Sequence, residues 1–429
     1  MTLLLKNATY IDRKNIEFTE TDILVTEGEE GTIRFINNVK DVDDDYEIID
    51  CSGKYVTKSF AIGHHHAYSA LARGMPPPEK SPRNFREILK YIWWNLDKAL
   101  DKDSIRASAL ATAMACAKAG TTFVIDHHAS PNCIEGSLDI ISKAFDEVGV
   151  NHLLCYEISD RDGQDKAKKG LAETERFLQK NQGLVGLHAS FTVGNETMKK
   201  AADLMRKYNS GIHIHVAEDL CDQQDSQKKY GKRVVQRLDD YGILNFSKTI
   251  LAHCLHIDEY ERNLIRDSKA RVVENMESNL NNKVGYFNGE GLGKRIFLGT
   301  DGMHSDMLRS AQAAYFAGQR HDTIDFNEAF RRFSSVHDYL EMNDFKGDAG
   351  NNLVVLDYPT PTPLTKENFP GHFIFGLTSN HVQHVISDGK LIVKNKKLLT
   401  IDEKETLEFT KEQASGLWQR MSSRNRLIE

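Results

Sequence analysis

Three polar clusters, set far apart in the chain, each stand where an apolar run stops. His64-His65-His66 follows YVTKSFAIG, His213-Ile214-His215-Val216-Ala217-Glu218 closes SGIHIHVAE, and Asp301 ends KRIFLGTD. Side chains of a strand alternate between its two faces, so His64 and His66 point one way and His65 the other. A ligand set drawn from the ends of several strands requires those strands to run parallel and converge. A (β/α)8 barrel, the TIM barrel, does this and keeps its chemistry on the carboxyl rim. The clusters therefore predict an α/β fold and a metal-dependent hydrolase.

The rest of the chain fits that frame. From about residue 55, short Val/Ile/Leu/His runs alternate with stretches of helical period, placing eight strands near 56–63, 120–127, 150–157, 184–190, 211–217, 248–253, 270–275 and 296–301. Before them, residues 3–50 read as short β pieces (LLLKNATYI, DILVTE, TIRFINN, EIIDC). After residue 345 β-like pieces return, ahead of a charged helix from about residue 402. The expected division is a β-sandwich portion over 1–55, the metal-dependent barrel over 56–345, and a second sandwich portion with the terminal helix over 346–429. With 429 residues, a large domain and a small one are the natural partition.

Charge narrows the partners. A net charge of −7 without a clustered basic and aromatic stretch argues against nucleic acid. Only four apolar residues precede Lys6, and no run is long enough to cross a bilayer, so a cytoplasmic, membrane-free protein is expected. The six cysteines (51, 116, 133, 155, 221 and 254) contain no C-x-x-C pair, which speaks against a disulfide framework and against thiolate zinc.

Within the clusters, His64, His66, His215 and Asp301 offer three neutral imidazoles and a carboxylate. That set suits one divalent ion, Zn²⁺ or Fe²⁺, with a corner left for water. The competing readings are a surface tract for the three histidines and a turn cap for Asp301. Glu218, three residues past His215, is placed to shuttle a proton, with Asp301 taking the water's proton. His213 is expected to be a hydrogen-bonded core histidine. His253 ends KTILAH and is expected to face the metal-bound water, with His256 as its rival. His188 ends GLVGLHAS and is a candidate substrate ligand; that strand end carries no lysine to bridge two ions, so a single metal is expected. Weaker candidates for the substrate are Trp93 (or Trp94, since adjacent helical positions point about 100° apart and at most one should face the site), His128 from Asp126-His127-His128, and Arg161, which could instead pair with its acidic neighbours.

The chain resembles the amidohydrolase superfamily in its mononuclear deaminase branch, and within it the SsnA-type aminohydrolases. The likeness runs through HHHAYSALARG, WWNLD, DHHAS, CYEISDRDG, HIHVAED, GKRVVQRL, LAHC and GTDGMHSDM. It implies a barrel with a composite β-sandwich, metal ligation by His64, His66, His215 and Asp301, proton transfer by Glu218, an orienting role for His253, and contact of His188 with substrate. It also implies a homodimer. Three departures stand out: Thr57-Lys58-Ser59 replaces a Pro-Gly entry to the first strand, Glu274-Asn275-Met276-Glu277-Ser278-Asn279 replaces a His-Asn-Pro segment, and Asn351-Asn352 replaces Ala-Asp. The expected reaction is deamination of an amino-substituted nitrogen heterocycle such as a purine or pterin by a metal-bound hydroxide. The alternatives are hydrolytic ring opening of a cyclic amide at the same site and a non-catalytic, metal-stabilised barrel.

Overall fold

The computed structural model describes residues 2–36 and 46–426; the β reading across 37–45 lies outside them. Eight parallel strands carry the site: β1 (Phe60–His65), β2 (Thr121–His128), β3 (Asn151–Tyr156), β4 (Val185–Ala189), β5 (Ile212–Val216), β6 (Ile250–His253), β7 (Arg271–Glu274) and β8 (Ile296–Leu298). Continuous parallel ladders join β1 to β3 and β4 to β8. Isolated parallel bridges link these two sheets at both seams, His65 to Asp301 on one side and Leu154 to Gly183 and Ile158 to Leu187 on the other. The strands are buried on both faces, which is why they read as apolar runs instead of alternating ones.

Alternation decides what each strand sends inward. Ala61, Phe123, Ile125, Leu153, Cys155, Leu184, Ile250, Ala252, Val273 and Phe297 form one apolar cluster, plugged by Val336, Tyr339 and Leu340 of the helix Phe326–Met342. The outward residues Ile62, Val124, Leu154, Leu187, Ile214, Leu251 and Val272 pack into the larger helix-facing core. The inward series then becomes polar at the carboxyl rim, so the site rests on a dry floor.

The two chain ends share one hydrogen-bonded sheet of nine strands. Leu353–Leu356 pairs on one side with Tyr55–Lys58 and on the other with Val382–Ser387. Tyr55–Lys58 is thus a strand of this sheet, and the expected first barrel strand, 56–63, is two strands broken at Ser59, whose hydroxyl meets Thr122 Oγ1 at 2.6 Å. The unusual Asn351-Asn352 pair is fully buried, Asn351 donating to the carbonyls of Thr26 and Gly28 and Asn352 accepting from the Asp388 N–H. Among the described residues no helix is long and apolar enough to cross a membrane.

Candidate active site

β1 departs from a regular ladder just before its histidines: its register against β2 shifts between Ile62 and His65, a bulge of the kind that re-aims side chains beside active sites. His64 and His66 come to share the ring interior. There His66 Nε2 lies 3.0 Å from Asp301 Oδ1 and 3.1 Å from His215 Nε2, and His64 Nε2 lies 3.6 Å from Asp301 Oδ1. One donor atom each from His64, His215, His253 and Asp301 falls within 4.8 Å of the others. His65 faces away and bonds Thr300 Oγ1 at 2.8 Å.

The outer nitrogens are held in place. His64 Nδ1 meets His213 Nε2 at 2.8 Å, His66 Nδ1 donates to the His127 carbonyl at 2.6 Å, and His215 Nδ1 donates to the His188 carbonyl at 2.8 Å. Such bonds fix the tautomer and present the opposite nitrogen as a lone-pair donor. His64 Nε2 and His253 Nε2 are buried with no hydrogen-bond partner. Two bare buried imidazole nitrogens beside a carboxylate fit a divalent cation, since otherwise each would stand desolvated and unpaired.

Electrostatics follow the same geometry. Burial opposes ionisation of Asp301, but the imidazoles of His64 and His66 beside it hold its carboxyl well below the usual range. Burial pushes His215 and His213 well below an ordinary imidazole. Burial also pushes Glu218 up to about 7, against the pull of His253, so its carboxyl exchanges protons near neutrality. Glu218 Oε2 lies 3.6 Å from His253 Nε2, and its Oε1 accepts from Asn282 Nδ2 at 3.4 Å. Ser278 Oγ donates to Asp301 Oδ2 at 2.5 Å.

Strain is concentrated on this rim. Ala217, His253, Cys254 and Asp301 all adopt left-handed backbone, with φ of 46°, 71°, 54° and 50°. Each such non-glycine residue costs on the order of 1–3 kcal/mol. For His253 the strain has a visible effect. Ala252 faces the ring interior, so strict alternation would turn His253 outward; the left-handed turn instead leaves its ring stacked on His215, 5.6 Å between centroids. Its Nδ1 meets Asn279 Oδ1 at 2.7 Å, whereas His256 Nε2 donates to the Val284 carbonyl at 2.7 Å outside the cavity.

The cavity above these groups is lined by His66, His188, His215, Glu218, Asp301, Ser278, Trp93, Trp94, Glu157 and Arg161, among others. Both tryptophans line it, correcting the expectation of one. Leu89–Trp93 form a π-helical turn, whose wider winding alters the angular step between neighbours. His128 is not in the cavity. Phe123 and Ile125 face the ring interior, so alternation sends His127 inward and His128 outward, where it bonds Ser130 Oγ at 2.9 Å and sits against Tyr68 and Tyr156. Arg161 reaches the wall, but it is clamped by Asp97, by Glu157 at 3.1 Å and by Asp162 at 3.2 Å. The unusual Glu274 is also turned away, paired with Arg332 at 2.9 Å.

Two inward residues escaped the sequence reading. His127 packs against His64, His66, His213 and His215, and Glu157 stands next to His188 and His215. The period-two series Phe123-Ile125-His127 and Leu153-Cys155-Glu157 contains both.

A family model described as "Amidohydrolase family" matches residues 63–345. Among curated relatives, the 5'-deoxyadenosine deaminase of Methanopyrus kandleri is 28% identical over 415 residues, covering 91% of this chain and 94% of its own. The 5-methylthioadenosine/S-adenosylhomocysteine deaminase of Thermoanaerobacter pseudethanolicus is 25% identical over 446 residues, covering 98% and 100%. Among solved structures, an adenosine deaminase from Xanthomonas campestris with bound zinc superposes with a TM-score of 0.81 at 18% identity, covering 97% of this chain and 98% of that one. Guanine deaminase of E. coli gives 0.76 at 18%, covering 92% and 99%.

Proposed function

The chain belongs to the amidohydrolase family, and from that premise we propose that it is a mononuclear metal-dependent aminohydrolase, replacing the exocyclic amine of a nitrogen heterocycle by oxygen and releasing ammonia. His64, His66, His215 and Asp301 would hold one divalent ion, zinc being the ion named with the Xanthomonas structure. When bound, such an ion supplies Lewis acidity that lowers the pKa of a coordinated water from about 16 toward about 7.

The chain's own groups supply the rest. Asp301 Oδ2, fixed by Ser278, is the first acceptor for the water's proton. His253 is anchored through Nδ1, so its Nε2 faces the space between Glu218 and Asp301, at 3.6 and 3.8 Å, and orients the attacking oxygen. Glu218, half protonated near neutral pH, carries a proton to the departing nitrogen. A C–O bond forms at the ring carbon and the C–N bond breaks; one proton of the water leaves with the amine as ammonia, and the other stays on the product, at the ring nitrogen of its keto form. Trp93, Trp94 and His188 line the space for a planar ring.

The observation that carries this reading is a partly buried carboxylate, Glu218, 12% exposed, that touches no proposed ligand yet faces the same point as His253 and Asp301; a purely structural ion needs no such group. The relatives named as deaminases of adenosine derivatives support the choice of substrate class. Metal-restored protein should release ammonia from some member of a purine, pyrimidine, pterin and triazine panel, and Glu218→Gln should keep its metal while losing several orders of magnitude in rate. Products heavier than substrate by one water would show ring opening instead; no ammonia from any member refutes deamination.

A further inference from the structure

We propose that Glu157 reads a ring N–H of the substrate, so that this site takes unsubstituted heterocyclic bases in preference to their N-glycosides; the inference rests on the heterocycle reading above. Leu153 and Cys155 face the ring interior, and Glu157 is the next residue of that series, held at the end of β3 by its N–H donating to the His128 carbonyl at 2.7 Å. Its side chain is 2% exposed and lines the same cavity as His215 and Glu218. Arg161 Nη1 lies 3.1 Å from Glu157 Oε1 but is not aligned to donate, and that oxygen accepts no hydrogen bond. Ion-paired to Arg161 and 3.4 Å from His127 Nδ1, the carboxylate still has an oxygen that accepts no hydrogen bond beside the cavity, a place that a ligand donor can take.

The neighbours narrow the donor. A Glu157 oxygen, a His188 nitrogen and a His215 nitrogen lie within 4.8 Å of one another. His188 Nδ1 is occupied by Thr192 Oγ1 at 2.7 Å, which leaves Nε2 for the cavity. A carboxylate acceptor with an imidazole nitrogen at its side matches a heterocycle edge that presents at least one N–H. So close to a proposed metal ligand, Glu157 meets the ring itself and not a substituent hung from it. Arg161 does not turn this wall into an anion site, because Asp97, Glu157 and Asp162 already surround its guanidinium. Alkylating or glycosylating that ring nitrogen removes the donor and buries the carboxylate against carbon.

A site built around such a hydrogen bond rejects the analogue lacking it by a large factor, here expected to be at least about 100-fold. The test measures binding by calorimetry to metal-loaded Glu218→Gln protein, which does not consume its ligands. The probes are adenine and guanine, their 9-methyl derivatives and their nucleosides. At least one unsubstituted base should bind about 100-fold more tightly than its 9-methyl and nucleoside forms, and adding Glu157→Gln should shrink the ratio to within about tenfold. Glu157→Asp, which keeps a charged acceptor where Gln offers only a neutral amide that can turn its NH2 to the ligand, should retain the preference. Equal or tighter binding of the 9-substituted forms, a ratio that survives Glu157→Gln, or no binding of either base would overturn the proposal. Should Glu157→Gln fail to fold, the base against 9-methyl comparison in Glu157-intact protein decides alone. Bases that bind with the expected ratio but yield no ammonia with the parent enzyme would sink the deamination reading and leave this one standing.

Discussion

Truncating Asn279 to alanine should slow the enzyme without touching its metal. Asn279, on the helix Met276–Asn282, and His253 are both fully buried, and their sole polar link is the 2.7 Å contact between Asn279 Oδ1 and His253 Nδ1. The carboxamide oxygen accepts from Nδ1, which turns Nε2 toward Glu218 and Asp301. Asn279 Nδ2 has no hydrogen-bond partner, so the truncation deletes one bond and strands one donor. A buried donor left unsatisfied costs about 1–3 kcal/mol. If that cost is expressed as loss of the oriented tautomer, it corresponds to a fall in kcat of about 5- to 150-fold, at about 1.4 kcal/mol per factor of ten. The assay is initial ammonia release by protein whose metal content has been measured. Asn279→Asp, which keeps an acceptor, should recover part of the rate. A fully metallated Asn279→Ala with kcat within twofold of the parent would refute the argument that this bond sets the working face of His253.

Two further outcomes follow from packing and charge. Gly299 sits at the seam between β8 and β1, where an added Cβ would lie 2.4 Å from Asn275 Oδ1 and 2.9 Å from the His64 carbonyl; Gly299→Ala should therefore destabilise by about 1–3 kcal/mol and weaken metal retention, read as a lower thermal midpoint and faster loss of metal to a chelator. Burial alone would raise the Asp348 carboxyl, but His337 at 2.8 Å and Lys58 at 2.9 Å outweigh it and hold the group at about 2. With a folded value below the unfolded one of about 3.9, the stabilisation is complete above about pH 5 and is lost as pH falls toward 2; it amounts to about 2.6 kcal/mol, and Asp348→Asn should flatten the stability profile across that window in acid denaturation.

What the sequence disclosed and what it hid have the same cause. A period of two places side chains wherever the strand stays regular, and it placed His213 and His215 on one face and carried the polar rim through His188. The same period, followed one residue further, separates His127 from His128 and carries β3 inward to Glu157; the ionic loop Ser159-Asp160-Arg161-Asp162 drew attention from that carboxylate because a run of mixed charge ordinarily marks a solvated turn. Irregular backbone was beyond reach. The bulge before His64, the π-turn that brings both Trp93 and Trp94 to the cavity, and the left-handed His253 each depend on tertiary contacts that no local pattern records. These three irregularities lie within the site and not in the floor beneath it, where Phe123, Leu153 and Phe297 keep strict alternation. Regular strands therefore set the position of the rim, and local strain sets its aim. On that reasoning, a substitution that relaxes a left-handed turn at a reacting residue, such as His253→Gly, acts on geometry and chemistry at once. Ala217→Gly touches no reacting group and relieves backbone strain on the rim with the proposed chemistry left intact.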